Sequence, residues 1–186
     1  MSTSTSSKTS NSMVNIVYYD LKATAMKFSR NPKGGGHVEI AEIGAMCLTR
    51  TFHRYLVPTR EIDRDATNKH GLSKRGKHIH HRSRGEIWMY AVTPTKGLND
   101  FIRWLKEIKE ETKSSKLILC SYNNRKFTSM ILMKNLDFFK ILPDTDNDRE
   151  TFEFVDALDI TKELKSKGMY FLISHTALKC LKISCR

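Results

Sequence analysis

The first dense run of apolar side chains is Val14-Asn15-Ile16-Val17-Tyr18-Tyr19, rich in β-branched and aromatic residues and closed by Asp20. It predicts a buried strand with a polar residue at its C-terminal end. Two further strands are expected over 38–48 and 52–57, joined by Thr49-Arg50-Thr51, and Pro58 ends them because proline cannot donate to a continuing ladder. Together the three make an antiparallel meander. Between the first and second, Lys33-Gly34-Gly35-Gly36 supplies a flexible turn.

Beyond Pro58 the period changes. Residues 62–70 have helical spacing, and Gly71 is placed to cap them. The stretch after Gly71 shows no period and reads as an irregular connection. From Thr95 onward, Leu98, Phe101, Ile102, Leu105 and Ile108 share one side of a helix, with Lys106, Glu107, Lys109, Glu110 and Glu111 on the other. Lys116-Leu117-Ile118-Leu119-Cys120 follows as a short apolar run, the signature of a buried parallel strand. A helix over 127–136, an acidic loop over 144–150, a strand over 152–155 and helices over 157–165 and 170–181 complete the chain. Hairpin strands followed by alternating helices and strands imply an α/β fold: a mixed sheet, antiparallel meander plus parallel strands, flanked by helices.

Length and composition narrow this picture. The 186 residues, 39% hydrophobic, suit one domain with a real core. Residues 1–12, almost all Ser, Thr, Asn and Lys, read as a disordered tail ahead of a single domain over 13–186. No apolar run reaches the roughly 18 residues of a membrane helix, and the N-terminus lacks the apolar core of a signal peptide. The expectation is a soluble, cytoplasmic protein. Cys47, Cys120, Cys180 and Cys185 lack zinc-type spacing and read as reduced structural thiols.

Charge adds the strongest chemical hint. The formal net charge is +12, and 66–85 contains no acid while holding Lys69, Lys74, Arg75, Lys77, Arg82 and Arg84, with His70, His78, His80 and His81 interspersed. Such a run is either a solvated surface or a polyanion contact. His78, His80 and His81 lack nearby carboxylates or cysteines, so a pH-sensitive loop is favoured over a metal site. Trp88 and Tyr90 could stack on bases but read first as core or interface, as does Trp104 beside Phe101 and Leu105.

Several segments in order resemble the DEDD-type 3′-5′ exonuclease family. They are Tyr18-Tyr19-Asp20-Leu21-Lys22, then Glu42-Ile43-Gly44-Ala45, then Tyr55-Leu56-Val57-Pro58 with Ile62, Ala66 and His70-Gly71-Leu72. Tyr122-Asn123-Asn124-Arg125-Lys126-Phe127-Thr128 and Asp156-Ala157-Leu158 follow. The resemblance implies a ribonuclease H-like fold and, in active members, four carboxylates holding two divalent ions. Asp20 matches the first acid, but Lys22 stands at the second position and Thr128 at the third.

Residues two apart on a strand face the same way, so Lys22 points where Asp20 points. Unit charges 4 Å apart interact by about 4 kcal/mol at an effective dielectric of 20, and an ammonium against a divalent ion is repelled about twice as strongly. The expectation is no metal, no cofactor and no catalytic residue, with Lys22 pairing Asp20 in the ion's place. The last family motif can be sought at His175 to Cys180, which puts Cys180 at the acid position. In the other register 170–181 is the preceding helix and the catalytic helix is absent.

Asn99-Asp100-Phe101-Ile102-Arg103-Trp104-Leu105, Arg125-Lys126-Phe127 and Met130-Ile131-Leu132 narrow the likeness to the exonuclease-like domains of the Exuperantia family. That likeness implies RNA binding without cutting, homodimerisation, and a cytoplasmic ribonucleoprotein role in mRNA localisation during oogenesis. The candidate RNA contacts are Lys69, Lys74, Arg75, Lys77, Arg82, Arg84, Arg125 and Lys126. Residual metal-dependent exonuclease activity through Asp20, Asp156 or Asp159, and a protein-interaction module around Trp104, are the alternatives.

Overall fold

The computed structural model describes residues 14–26, 37–83, 85–86, 91–141 and 152–167. The expected tail, the turn at 33–36, the acidic loop, the helix at 170–181, Arg84, Trp88, Tyr90, Cys180 and Cys185 lie outside the described residues.

Strand β1, Val14–Ala23, buries Val17, Tyr19, Leu21 and Ala23 and turns Tyr18, Asp20 and Lys22 to the other side. It pairs antiparallel with β2, Ile40–Cys47, which pairs antiparallel with β3, Arg50–Leu56. The meander is as the alternation predicts, but its hairpin turns on Leu48-Thr49, with Leu48 at φ 52, and not on Thr49 to Thr51. Arg50 and Thr51 belong to the ladder, paired with Cys47 and Met46. Polar side chains there face solvent, and alternation alone does not separate an exposed ladder position from a turn.

Helix α1, Arg64–His70, is capped by Gly71 at φ 79, whose N–H donates to the Thr67 carbonyl. Next comes a correction. The basic stretch is not irregular: β4, Leu72–Arg75, β5, His78–His81, and β6, Gly85–Glu86, form a second, three-stranded antiparallel sheet. Leu72 and Ile79 are fully buried against Ala41 and Tyr55 of the main sheet. Two apolar anchors among nine or so cations and histidines were too few to reveal a period of two.

Strand β7, Ala91–Val92, adds to β3 in parallel and leads into α2, Pro94–Glu111, whose Thr93 cap accepts from the Lys96 N–H. Helix α2 buries Leu98, Phe101, Trp104, Leu105 and Ile108, and the Phe52, Phe101 and Trp104 rings pack together. Trp104 is therefore core. Strand β8, Lys116–Ser121, lies parallel to β1, and β9, Phe152–Asp156, parallel to β8. The main sheet runs β7-β3-β2-β1-β8-β9.

A π-helical turn, Asn124–Thr128, precedes α3, Ser129–Phe138, so the expected helix begins a turn early and in a wider coil. Asn135 fixes α3 to the sheet: its Oδ1 accepts from the Ile40 N–H at 3.1 Å and its Nδ2 donates to the Val38 carbonyl at 2.8 Å. Helix α4, Ala157–Ser166, follows β9 directly. Cys47 and Cys120 are buried free thiols, Cys120 pushed up to about 11 by burial and by nearby Asp156. No helix among the described residues is long and apolar enough to cross a membrane.

Candidate nucleic-acid site

Strands β1, β8 and β9 are parallel, so their C-terminal ends meet at one edge of the sheet. Asp20 and Lys22 stand there on β1, Ser121 on β8 and Asp156 on β9, the last two in register. Open α/β sheets carry their ligand sites at such an edge.

Lys22, expected to pair with Asp20, forms an ion pair with Glu42, while its charge also acts on Asp20. It sits opposite Glu42 in the β1–β2 ladder, and its Nζ lies 2.7 Å from Glu42 Oε2. The other carboxylate oxygen meets His53 Nε2 at 3.0 Å. Geometry explains the preference: partners across a ladder have Cβ atoms about 5 Å apart, whereas residues two apart along one strand are separated by about 6.7 Å. Glu42 is only 2% exposed. Its burial alone would raise the carboxyl pKa, but the His53 hydrogen bond and the Lys22 ammonium together hold it below the ordinary range. Burial pushes Asp20 the other way, above its ordinary value, and neither the Leu21 backbone nor the charge of Lys22 cancels that.

At the third acid position, Thr128 is buried and neutral, 3.4 Å from Ser121 Oγ. Asp156 is also buried, and both its oxygens are engaged: Oδ2 accepts from the Arg125 N–H and Oδ1 from the Leu158 N–H, each at 3.0 Å. It thereby holds the π turn and starts α4. Asn124 links the same strands, its Nδ2 donating to the Leu119 and Val155 carbonyls while its Oδ1 accepts from the Tyr19 hydroxyl at 2.5 Å.

A two-metal centre needs convergent carboxylates. Among the described residues no group of three or more His, Cys, Asp or Glu side chains is placed to hold a metal ion. With an ammonium at the second position and a hydroxyl at the third, these residues do not fit such a centre. His78, His80 and His81 belong to one strand and likewise form no such group.

The basic module is fastened to this edge. His70 Nε2–H donates to the Ala23 carbonyl at 3.0 Å, and His70 Nδ1 accepts from the Leu72 N–H at 3.2 Å. Burial lowers the His70 pKa, which suits this neutral, two-sided bonding. His70 thus ties the module to β1 at Ala23, three residues past Asp20.

Its cations are not equivalent. Lys74 turns inward, donating to the Thr59 carbonyl at 3.0 Å and lying 3.8 Å from Glu61, its side chain 12% exposed. Arg82 donates to Asn68 Oδ1 at 3.2 Å. Lys69, on α1, and Arg75 and Lys77, at the β4–β5 tip, are exposed and form no ion pair among the described residues. The tip is a two-residue turn with Gly76 at φ 61 and open space around it. Across the sheet edge, Arg125 reaches Asp159 at 3.3 Å and Lys126 is exposed. No hydrogen bond or ion pair joins these two to the β4–β5 module; they flank the Asp20 position from the β8 side.

Sequence reading missed one cationic cluster. Asp100 of α2, 6% exposed, is surrounded by Lys96 at 3.2 Å, Arg54 at 3.5 Å and Arg103. The helical spacing of Lys96, Asp100 and Arg103 was visible in the sequence; Arg54 arrives from β3 only through packing.

Comparison with known proteins bears on this geometry. The family model described as the Exuperantia RNase H-like domain matches residues 36–179. Among solved structures, exonuclease I of E. coli in complex with a dT13 oligonucleotide is similar, with a TM-score of 0.57 and 10% identity over 82% of this chain and 30% of that one. Exonuclease I from Methylocaldum szegediense gives 0.55 and 12% over the same shares. The chain thus spans about a third of the length of these enzymes, and the likeness shows an RNase H-like fold. A search of curated protein sequences finds no significant match.

Proposed function

The chain belongs to the Exuperantia RNase H-like domain family, and on that premise we propose that this exonuclease-like domain binds RNA without cutting it. The observation that carries the reading is the ammonium of Lys22, fixed by Glu42 beside Asp20 where a catalytic carboxylate would have to stand. A cation at that point repels divalent metal and is compatible with a polyanion. Lys69, Arg75 and Lys77 add exposed positive charge on the module that His70 ties to the end of β1. A cytoplasmic ribonucleoprotein that localises mRNA, and a homodimer within it, complete the proposal on family grounds.

Lys69→Glu/Arg75→Glu/Lys77→Glu tests the binding half by fluorescence anisotropy with a labelled single-stranded RNA. Affinity should fall by at least tenfold, and the slope of log affinity against log salt should flatten by about 2, since each neutralised phosphate of a single strand contributes about 0.7. An unchanged slope would sink the assignment of this module.

Asp20 and Asp156 are both retained at the sheet edge, which favours residual nuclease activity as the second reading. Incubation of end-labelled RNA with the protein and manganese should leave the RNA intact. A ladder that disappears in Asp20→Ala would overturn the silent-domain reading.

A further inference from the structure

Asp20 stands on β1 two residues past the last β1–β8 pair, Tyr18 with Cys120, and Tyr122 lies one residue beyond the end of β8. Tyr122 is 53% exposed. Its side chain makes no hydrogen bond or ring contact among the described residues, whereas the other strongly exposed aromatic, Phe138, stacks on His37 at 4.4 Å and meets Phe139. Lone exposed apolar residues need no explanation, but this one has three further properties.

The Tyr122 backbone is held in place, because its carbonyl accepts from Thr128 Oγ1 at 3.5 Å and Asn123 follows in the left-handed region at φ 54. Arg125 and Lys126 stand in the turn that follows, Arg125 79% exposed. The Arg125 pair with Asp159 is a solvent-exposed one, weak enough to be exchanged for a phosphate. An aromatic ring with two adjacent cations is the combination that single-strand binders use: the ring takes a base face, which every base offers, and the cations take the backbone.

We infer that Tyr122, Arg125 and Lys126 form a subsite for one nucleotide with an unpaired base, the ring stacking on the base and the two cations meeting its phosphate. This rests on the RNA-binding reading and extends it: the domain should prefer single strands over duplex, whose bases are already stacked and offer no free face to the ring.

The test is anisotropy with three fluorescein-labelled probes: a uridine oligomer of about 12 nucleotides, in the range of single-strand sites, an abasic oligomer of the same length, and an RNA duplex. Tyr122→Ala should weaken the uridine oligomer about tenfold and leave the abasic and duplex probes unchanged, and Tyr122→Trp should restore binding. Thermal unfolding of Tyr122→Ala should match the parent, since the side chain is exposed. Equal affinity of Tyr122→Ala and parent for the uridine oligomer overturns the subsite while leaving the RNA reading standing, provided that the Lys69, Arg75 and Lys77 reversal still lowers affinity at least tenfold. Failure of the parent to retain any probe at low salt overturns both.

Discussion

Lys22 carries both a structural and an electrostatic role. Its ammonium neutralises Glu42, which is almost fully buried, and a buried carboxylate stripped of its cation costs several kcal/mol. Lys22→Met should destabilise the domain by about 3 kcal/mol in urea unfolding, and adding Glu42→Leu should recover most of that loss because no buried charge is left. Asp20 gives a prediction of opposite sign. Its folded-state pKa lies above the ordinary 3.8, so between the two values the folded chain binds more protons than the unfolded one, and stability falls as pH rises through that window. Asp20→Asn removes this penalty: it should be more stable than the parent at pH 7, and the difference should vanish in melts performed below pH 3.8. Glu42 works the other way, since its depressed pKa gives stability that is present at neutral pH and lost as pH falls. An Asp20→Asn variant no more stable than the parent at pH 7 would contradict the burial argument for Asp20.

At the scale of elements, α2 shows how closely the sheet and helices fit. A Cβ on Gly97 would stand 2.7 Å from Leu56 Cγ, and Leu56 is fully buried, so neither side chain has room to move. Gly97→Ala improves helix propensity by about 1 kcal/mol, yet overpacking costs about 1–3 kcal/mol. The net expectation is a lower thermal midpoint, measured by circular dichroism; a rise would mean that α2 slides on β3. Elements with a strong period, among them β1 and α2, were legible beforehand because their buried residues recur at intervals of two or 3.6, and β8 because it is a short apolar run. The α1 cap at Gly71 was legible for a different reason, the positive φ that glycine tolerates. The β4–β5 hairpin was not, since each strand has one fully buried apolar side chain and its remaining positions are polar.

Across the whole molecule, the excess of 12 positive charges is not one field. Part of it is tied up within the fold: the nearly buried Lys74 braces the loop before α1, and the exposed Arg54, Lys96 and Arg103 converge on buried Asp100. What stays outward includes Lys69, Arg75 and Lys77 on the module that His70 ties to the end of β1, and Arg125 and Lys126 in the turn after β8. This is why reversing the three module cations should change the salt slope, whereas Lys74→Glu should show itself mainly as lost stability.

The sequence by itself determined the antiparallel meander, the long α2 helix and the mixed main sheet, because burial period and residue identity are local properties. Tertiary structure alone decided that Lys22 pairs with Glu42, that Lys74 faces inward and that Tyr122 is exposed just past the end of β8. Those relations join residues on different strands or on turns of the chain, and only the ladder register and the packing of one sheet on another set the distances between them.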